Sequence, residues 1–405
     1  MVCKLSEIGL HLKKRYVCSP NIELIDRVKI RPNNFKSIMI ADALVPKSKS
    51  ISVFDEIAKM EHEQVVYCFD KATGLKAIVA IHNTTLGPGM GGTRMWHYNT
   101  EEEAVNDALR LSRGMTFKSV IAGLNIGGGK AVIIGDARKI KNEALMRRFG
   151  KFINGLGGRY VTAEDVNMTT RDMEYIRMET PYVAGIPEIM GGSGDPSPVT
   201  AYGVYVGMKA SNKRVTGSDS LKGRKVLVQG AGNVGVNLIG FLEKEGTEVF
   251  VSDIFEDKLK RVTSEYNVTV LPPDEIFETE FDIYSPCALG GTINDESISK
   301  MKCSIIAGGA NNQLLEEIKH SNMLIDKGIT YAPDFLINGG GIVNVYHEYL
   351  GDYNREVVMK QAERIYDTCL SVLDKAGQEN ITPQEAAMKI AVDRINSIGT
   401  IKLSF

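Results

Sequence analysis

Two lysines and an aspartate carry the side-chain chemistry in this sequence best suited to moving protons. Lys118 and Lys130 bracket eleven residues (119–129) without a charge, and the three residues before Lys130 are glycines. A lysine behind three glycines and ahead of the apolar run AVII (131–134) is expected at the mouth of a buried strand, where backbone can approach a ligand closely. Desolvation there disfavours the ammonium and draws the lysine pKa toward neutrality, as a lysine base requires. Lys118, if it converges on the same site, adds a cation that pushes Lys130 the same way. Two surface lysines beside a glycine-rich turn are the plainer alternative, but that alternative leaves the neutral surroundings unexplained. Asp165 follows Glu164 where the strand RYVTA gives way to a loop.

The elements that must position these groups follow from periodicity. Thr100 and Glu103 read as a capping box opening a helix over EEEAVNDALRLSRGMTFK, which delivers Lys118 at or just beyond its C-terminal end. Upstream, Ser52 caps a short amphipathic helix, SVFDEIAKMEHEQ, and KATG joins the strands VVYCFD and LKAIVAIHNT as a hairpin. LGPGMGGTRMW (86–96) reads as a second glycine-rich loop. Downstream come the strand AVIIG, the helix NEALMRRFGKFINGL and the strand RYVTA. GGSGDPSPVTAYG (191–203) has the composition of a linker and leads into a helix to about Asn212, which places a domain boundary near residue 195.

Residues 224–253 read strand, GxGxxG, helix, strand, acid. Gly230, Gly232 and Gly235 follow VLVQ directly, and Asp253 closes the second strand at the spacing of a dinucleotide fingerprint. Such a turn lets pyrophosphate reach the free N–H groups at the helix start, Asn233 and Val234, while the carboxylate accepts the ribose hydroxyls. Asp253 is followed by Ile254 and Phe255, with no arginine adjacent to receive a 2′-phosphate, so NAD is the expected cofactor. The alternation continues through FDIYSPCAL, SIIAGGANNQ and ITYAPDFLIN, as a doubly wound sheet should. A helix starts at the glycines of INGGGIVNVYHEYLG. The tail reads as two helices, NREVVMKQAERIYDTCLSVLDKAG and one capped by Thr382, Pro383 and Glu385.

Composition bounds the rest. At 405 residues the chain exceeds one compact core, and two domains are expected. A net charge of −2 gives no reason to expect nucleic acid or an anionic membrane as partner. Six scattered cysteines without CxxC spacing and six histidines without HxH or HExxH suggest neither disulfides nor a metal. No run reaches spanning length and the N-terminus lacks a signal peptide, so a soluble, cytoplasmic α/β protein is expected.

Taken together, GPGMGGTRMW, GMTFK, GGGK, TAED, GDPSPVTAYG, GAGNVG, GGANNQL and NGGGIVNV resemble the glutamate, leucine, phenylalanine and valine dehydrogenase family, and most closely its leucine dehydrogenases. The resemblance runs in order from about residue 52 to 400. It implies an N-terminal α/β substrate domain and a Rossmann doubly wound domain with a cleft between them. Residues 51–195 would be the substrate-binding and oligomerisation domain, 196–340 the NAD domain, and 341–405 helices returning toward the former. Residues 1–50 find no counterpart and form an extension of uncertain order.

The implied reaction is NAD-dependent oxidative deamination of an L-amino acid to its 2-oxo acid and ammonia by a homo-oligomer, typically an octamer for leucine dehydrogenases. Lys118 resembles the lysine that holds the substrate carboxylate, Lys130 the catalytic base, and Asp165 the acid that shuttles protons at the substrate nitrogen. Asn312, or its neighbour Asn311, resembles the amide fixing the substrate near the nicotinamide, and Thr200 the threonine touching the carboxamide. Gly91, Gly92 and Met115 fall within the substrate-side motifs, and Met90, Ala163, Ile342 and Val345 at side-chain pocket positions. All four of the latter are apolar, so branched aliphatic substrates are expected over glutamate; phenylalanine dehydrogenases tend to carry a smaller residue where Met90 stands. Two departures reduce side-chain size: Gly129 stands where leucine dehydrogenases commonly have alanine, and so does Gly235.

Overall fold

The apolar runs build two sheets. In this computed structural model, which describes residues 52–351 and 353–402, the expectation for residues 1–50 lies outside the described part. Helix α1 (Val53–Met60) begins at Ser52, whose hydroxyl accepts the Asp55 amide. Strands β1 (Gln64–Asp70) and β2 (Leu75–Asn83) form the expected hairpin, with Asp70 opposite Leu75.

The next glycine-rich stretch is a strand and not the expected loop. β3 (Gly89–Trp96) pairs in parallel with β4 (Gly127–Ile134) on one side and β5 (Tyr160–Glu164) on the other. GGGK is likewise inside β4 and not in a turn before it, so the first sheet has the order β1-β2-β4-β3-β5. Glycine reads as punctuation because it weakens a strand, yet here missing side chains allow the packing. A Cβ on Gly128 would lie 2.2 Å from the Thr116 backbone nitrogen, and one on Gly92 would lie 2.3 Å from the Glu164 carbonyl oxygen.

Thr116 belongs to α2 (Glu101–Ile121), which covers this face of the sheet and carries Lys118 in its last turn. Thr100 caps it as expected, accepting the Glu103 amide, although the Glu103 carboxylate returns to the Asn99 amide. The other face is covered by α4 (Glu143–Gly155) and α5 (Thr170–Arg177), with a short α3 (Ala137–Ile140) leading in. Leu145, Phe149, Ile153, Met173 and Ile176 pack there against Val79, Ala131 and Ile133.

α6 (Ser197–Thr216) runs past the expected Asn212 and stops at Gly217, whose φ of 83° suits a left-handed cap. The second sheet then forms from β6 (Lys225–Gln229), β7 (Glu248–Ser252), β8 (Thr269–Val270), β9 (Ile283–Pro286), β10 (Ile305–Ile306) and β11 (Thr330–Tyr331). All its pairings are parallel and its order is β8-β7-β6-β9-β10-β11. This doubly wound order reverses between β6 and β9, and ligands of such sheets bind at the strand ends beside that switch. Its connecting helices are α7 (Asn233–Glu245), α8 (Glu256–Glu265), α9 (Asp295–Lys300) and α10 (Glu317–Asp326), and α11 (Asp334–Ile337) follows the last strand.

Four helices close the chain. α12 (Gly340–Tyr349) starts at the expected glycine cluster, while the expected single helix after it is two, α13 (Arg355–Glu363) and α14 (Ile365–Glu379). The break is one residue wide: the Arg364 amide bonds to the Gln361 carbonyl three residues back, a tighter turn than the α-helix allows. α15 (Pro383–Lys402) opens with the expected box, Thr382 and Glu385 bonding each other's backbone. Its Arg394 donates to the Val120 and Leu124 carbonyls, which ties the chain end to the end of α2 just beyond Lys118. Met90, Val161, Val199, Ile342 and Val358 share one apolar cluster, joining residues from both sheets' surroundings.

Two buried histidines brace α2 against the first sheet. His62 and His82 meet edge to face at 4.8 Å. His82 Nε2 donates to the Met60 carbonyl (2.9 Å), so its Nδ1 accepts from the Thr116 hydroxyl (2.8 Å); His62 Nε2 meets Ser112 Oγ (2.8 Å). Burial, reinforced by the His62 and Arg113 charges, pushes His82 from 6.5 down to about 4. The folded protein therefore keeps His82 neutral at pH values where the unfolded chain binds a proton. Its contribution to stability is fully present above pH 6.5 and falls as the pH drops toward 4. Over that window the loss should reach about 3 kcal/mol from His82 alone. Urea-unfolding midpoints measured from pH 7 to pH 4 should fall steeply, and less steeply for His82→Gln; parallel slopes for the two proteins would count against this assignment.

Candidate functional site

Lys130 projects from β4 on the face shared with Gly128, because strand side chains alternate. It is 5% exposed, and its ammonium lies 2.9 Å from Asp165 Oδ2. Asp165 follows β5, and the close passage of Gly92 leaves its Cβ beside the β3 backbone. Burial lowers the Lys130 pKa as expected, while the Asp165 charge and hydrogen bond oppose the shift. A further cation reinforces the shift. Arg94 of β3 bonds the same Asp165 oxygen through Nε at 2.9 Å and also disfavours the Lys130 ammonium, in addition to the mutual repulsion between Lys118 and Lys130. Burial alone would raise the Asp165 carboxyl, but Lys130 and Arg94 together hold it below the usual range.

Lys118 faces the same region from α2. Burial brings its pKa down to about 8, against the pull of the Asp334 carboxylate, and the Lys130 charge lowers it further. Asp334 sits at the start of α11 and accepts the Gln313 and Phe335 amides at 3.1 and 2.7 Å. Its own pKa is raised by burial.

Of the two adjacent asparagines, Asn311 is the one whose amide oxygen reaches Lys118, at 3.5 Å. The same oxygen accepts from Asn338 Nδ2 at 2.8 Å, which leaves the Asn311 NH₂ free to point elsewhere. Asn312 adopts a φ of 52° and works through its backbone, its carbonyl accepting the Gly291 amide.

The expected pocket residues are also brought together. Met90, fully buried, and Ile342 share an apolar cluster with Met115 and Val345 at its edge. Ala163 lies on β5 opposite Gly92. Gly91 accepts the Tyr160 hydroxyl through its carbonyl at 2.6 Å. The Tyr160 ring also fills the space beside Gly129, where a Cβ would lie 2.5 Å from it, so the smaller residue is matched by a large neighbour.

At the second sheet, Gly230 turns the chain after β6 with a φ of 109°. Gly232 is the N-cap of α7, makes no side-chain cap bond, and has nothing within 4 Å of the position a Cβ would take. Gly235 is packed tightly, its Cβ position 2.0 Å from the Gly230 carbonyl oxygen. The N–H groups of Asn233 and Val234 open this helix directly after the open position at Gly232. Asp253 bonds the Ala231 and Phe255 amides through its two oxygens at 2.7 and 3.0 Å. Lys258, unnoticed in the sequence, stands 3.9 Å from it. These groups fit a dinucleotide. Thr200, in the first turn of α6, bonds the Pro196 carbonyl and borders Gly341.

Sequence reasoning missed Arg94, Asp334 and Asn338. Arg94 lay inside a quoted motif, two residues beyond Gly92; had β3 been read as a strand, Met90, Gly92 and Arg94 would have fallen on one face. Asp334 and Asn338 had no comparable signal, because distant parts of the fold give them their neighbours.

Among the described residues, Asp295, Glu316 and His320 bring potential metal-ligand atoms within 4.8 Å of one another. Their protons are badly placed for a metal. His320 Nδ1 accepts the Glu316 amide at 2.8 Å, so Nε2 carries the hydrogen toward Asp295, and Lys319 bonds both acids. No helix among the described residues is long and apolar enough to cross a membrane.

Comparison with known proteins bears on what this geometry does. Residues 62–182 match the family model of the Glu/Leu/Phe/Val dehydrogenase dimerisation domain, and residues 191–255 and 251–400 that of the glutamate/leucine/phenylalanine/valine dehydrogenases. The leucine dehydrogenase of Thermoactinomyces intermedius is 53% identical over 355 residues, covering 88% of this chain and 96% of that protein. The phenylalanine dehydrogenase of Lysinibacillus sphaericus is 46% identical over 83% of this chain and 88% of its own length. The crystal structure of L-tryptophan dehydrogenase from Nostoc punctiforme superposes with a TM-score of 0.78 at 45% identity, covering 86% of this chain and 99% of that one. With lysines, aspartate and dinucleotide turn arranged as described, and with these relatives, the chain belongs to the Glu/Leu/Phe/Val dehydrogenase family and is a nicotinamide-dependent amino acid dehydrogenase.

Proposed function

We propose that the protein catalyses NAD-dependent oxidative deamination of branched-chain aliphatic L-amino acids, leucine first and isoleucine and valine with it. The observation that carries this reading is the buried Lys130–Asp165 pair, with Lys118 beside it and an apolar cluster, Met90, Met115, Ile342 and Val345, adjoining. Lys118 offers a fixed cation to the substrate carboxylate, with Asp334 behind it, and Asn311 presents its NH₂ to the substrate or the nicotinamide. A bound nicotinamide supplies the acceptor for the substrate's α-hydrogen as hydride. Lys130, once neutral, takes a proton from the water that adds at the carbon–nitrogen bond being hydrolysed. Asp165 serves the substrate nitrogen through Oδ1, because Oδ2 already accepts from both Lys130 and Arg94. The net products are the 2-oxo acid, ammonia and a reduced cofactor, with one proton released.

The substrate class rests on the pocket. Burying a second carboxylate among these apolar residues would leave it unpaired and costly, which disfavours glutamate. An indole or phenyl ring needs more room than a branched aliphatic side chain, and Met90 and Ile342 are both buried side chains of the cluster where it would have to lie. The family likeness to phenylalanine and tryptophan dehydrogenases keeps those substrates as the rival reading. Residues 51–195 act in this account as the substrate-binding and oligomerisation domain and residues 196–340 as the NAD domain, with 341–405 returning to the former. The working form is a cytoplasmic homo-oligomer, an octamer as the resemblance implies.

NADH formation followed at 340 nm with a panel of amino acids should give leucine, isoleucine and valine the highest specificity constants; a higher value for phenylalanine, tryptophan or glutamate would overturn the substrate assignment. Lys130→Ala should reduce turnover by about 10² to 10⁴-fold with NAD binding nearly unchanged. Lys118→Ala should instead raise the leucine KM steeply.

The Asp253 carboxylate repels a 2′-phosphate although Lys258 softens that field, so Asp253→Ser should bring NADP use closer to NAD use. Equal use of both by the unaltered enzyme would defeat the NAD assignment. Because the Cβ position of Gly232 is open, Gly232→Ala should leave the melting temperature unchanged while weakening NAD binding by about tenfold or more. Unchanged affinity would mean the pyrophosphate does not approach this turn.

A further inference from the structure

We propose that Arg94 is the positioning residue of the Lys130–Asp165 pair, a cation that holds the plane of the Asp165 carboxylate so that one oxygen faces the substrate. The inference rests on the reading of Lys130 and Asp165 as the working pair. The guanidinium is held at both ends: Nε bonds Asp165 Oδ2 at 2.9 Å, and an outer nitrogen bonds Asp107 Oδ2 at 3.0 Å. Asp107 is itself fixed by the Tyr98 hydroxyl at 2.7 Å and by Arg110 at 3.1 Å. Arg94 therefore has little freedom to swing, and it brings Asp165 to a defined orientation. With Lys130 and Arg94 both on one oxygen, turning the carboxylate plane part-way would lose two charge-assisted bonds, so the plane is held and the other oxygen stays available to the substrate nitrogen.

Behind this group, on the side that Trp96, Tyr98, Asp107 and Arg110 also line, lies an open cavity of about 630 Å³. Arg94 is the side chain that borders both this recess and the pair, so its loss would admit water to Asp165 from behind. The electrostatic consequence has a definite sign. The charged groups facing Lys130 are Asp165, Arg94, Asp107 and Lys118; those facing Asp165 are Lys130 and Arg94, and Lys118 and the Tyr98 and Tyr160 hydroxyls also feel its charge. Arg94 favours the neutral form of Lys130 and the ionised form of Asp165. Removing its charge raises both pKa values, whereas removing the Asp107 charge lowers that of Lys130.

The test uses the full-length enzyme with Arg94→Gln, Arg94→Lys, Asp107→Asn and Lys130→Ala, reading kcat and leucine KM across pH together with NADH binding and the melting temperature. Arg94→Gln should cut kcat by about 10- to 100-fold with leucine KM changed less than about 3-fold. Its ascending limb of kcat against pH should move to higher pH by about half a unit to one unit. Arg94→Lys, which keeps the charge but cannot reach both acids in a fork, should recover the position of the limb and only part of kcat. Asp107→Asn should move the limb the opposite way, and it carries the test if Arg94→Gln does not fold. Unshifted limbs in Arg94→Gln, or in Asp107→Asn where the former is unfolded, would overturn the proposal. Near-original turnover by Lys130→Ala would instead show that the reading of the pair itself is wrong, whatever Arg94 does.

Discussion

A lysine with 5% of its surface in water must either give up its proton or face a carboxylate, and Lys130 is placed between those two states. An unpaired buried ammonium costs several kcal/mol, so the Asp165 carboxylate stabilises the charged form, while burial and Arg94 favour the neutral one. The balance brings the neutral form closer than in an ordinary lysine, which is what the proposed role as a base requires. Neither lysine has an exclusive partner: Lys130 shares Asp165 with Arg94, and Lys118 is balanced by an Asp334 carboxyl that is itself raised by burial. The arrangement is electrostatically taut, and a substrate carboxylate placed at Lys118, as proposed above, would relieve it there.

That balance depends on how close the backbone of α2 lies to β4. The helix delivers Lys118 and the strand delivers Lys130, and the two elements touch where Gly128 faces Thr116. A side chain at that point would separate the lysines. Behind the contact, Thr116 and Ser112 bond the two neutral histidines, and at the far end Arg394 of the last helix binds the carbonyls that follow Lys118. Remote parts of the chain thus hold the helix end in place. The dinucleotide turn has the opposite need, open space: Gly232 has no neighbour where its side chain would be, while Gly235 beside it is packed against the Gly230 carbonyl.

Much of this was legible in the sequence because it is local. The cap at Ser52, the hairpin at KATG, the α2 cap at Thr100 and the strand–turn–helix around Gly230 all follow from short patterns, and the structure has them at those residues. The motif order led to the family. The errors share a cause. Glycine weakens strands, so GPGMGG reads as a loop and GGGK as the approach to a strand, whereas inside β3 and β4 it is a spacing device whose purpose is visible only once α2 and β5 lie against it. Arg94 gives no signal in the sequence for the same reason, since its partner Asp165 is 71 residues away and they meet only if β3 is a strand. Asn311 is the asparagine whose side chain reaches Lys118, while Asn312 has a left-handed backbone, and two adjacent asparagines in the sequence carry no sign of that difference.

The central claim is that Lys130 acts by accepting a proton as a free amine, and chemical rescue of Lys130→Ala reads that directly. Small primary amines of graded basicity, added during leucine oxidation at fixed pH, take the place of the missing side chain beside Asp165. The account predicts a restored rate that follows the free-base concentration of each amine and rises with its basicity. A rate that follows total amine regardless of basicity, or no restoration by any of them, would contradict it.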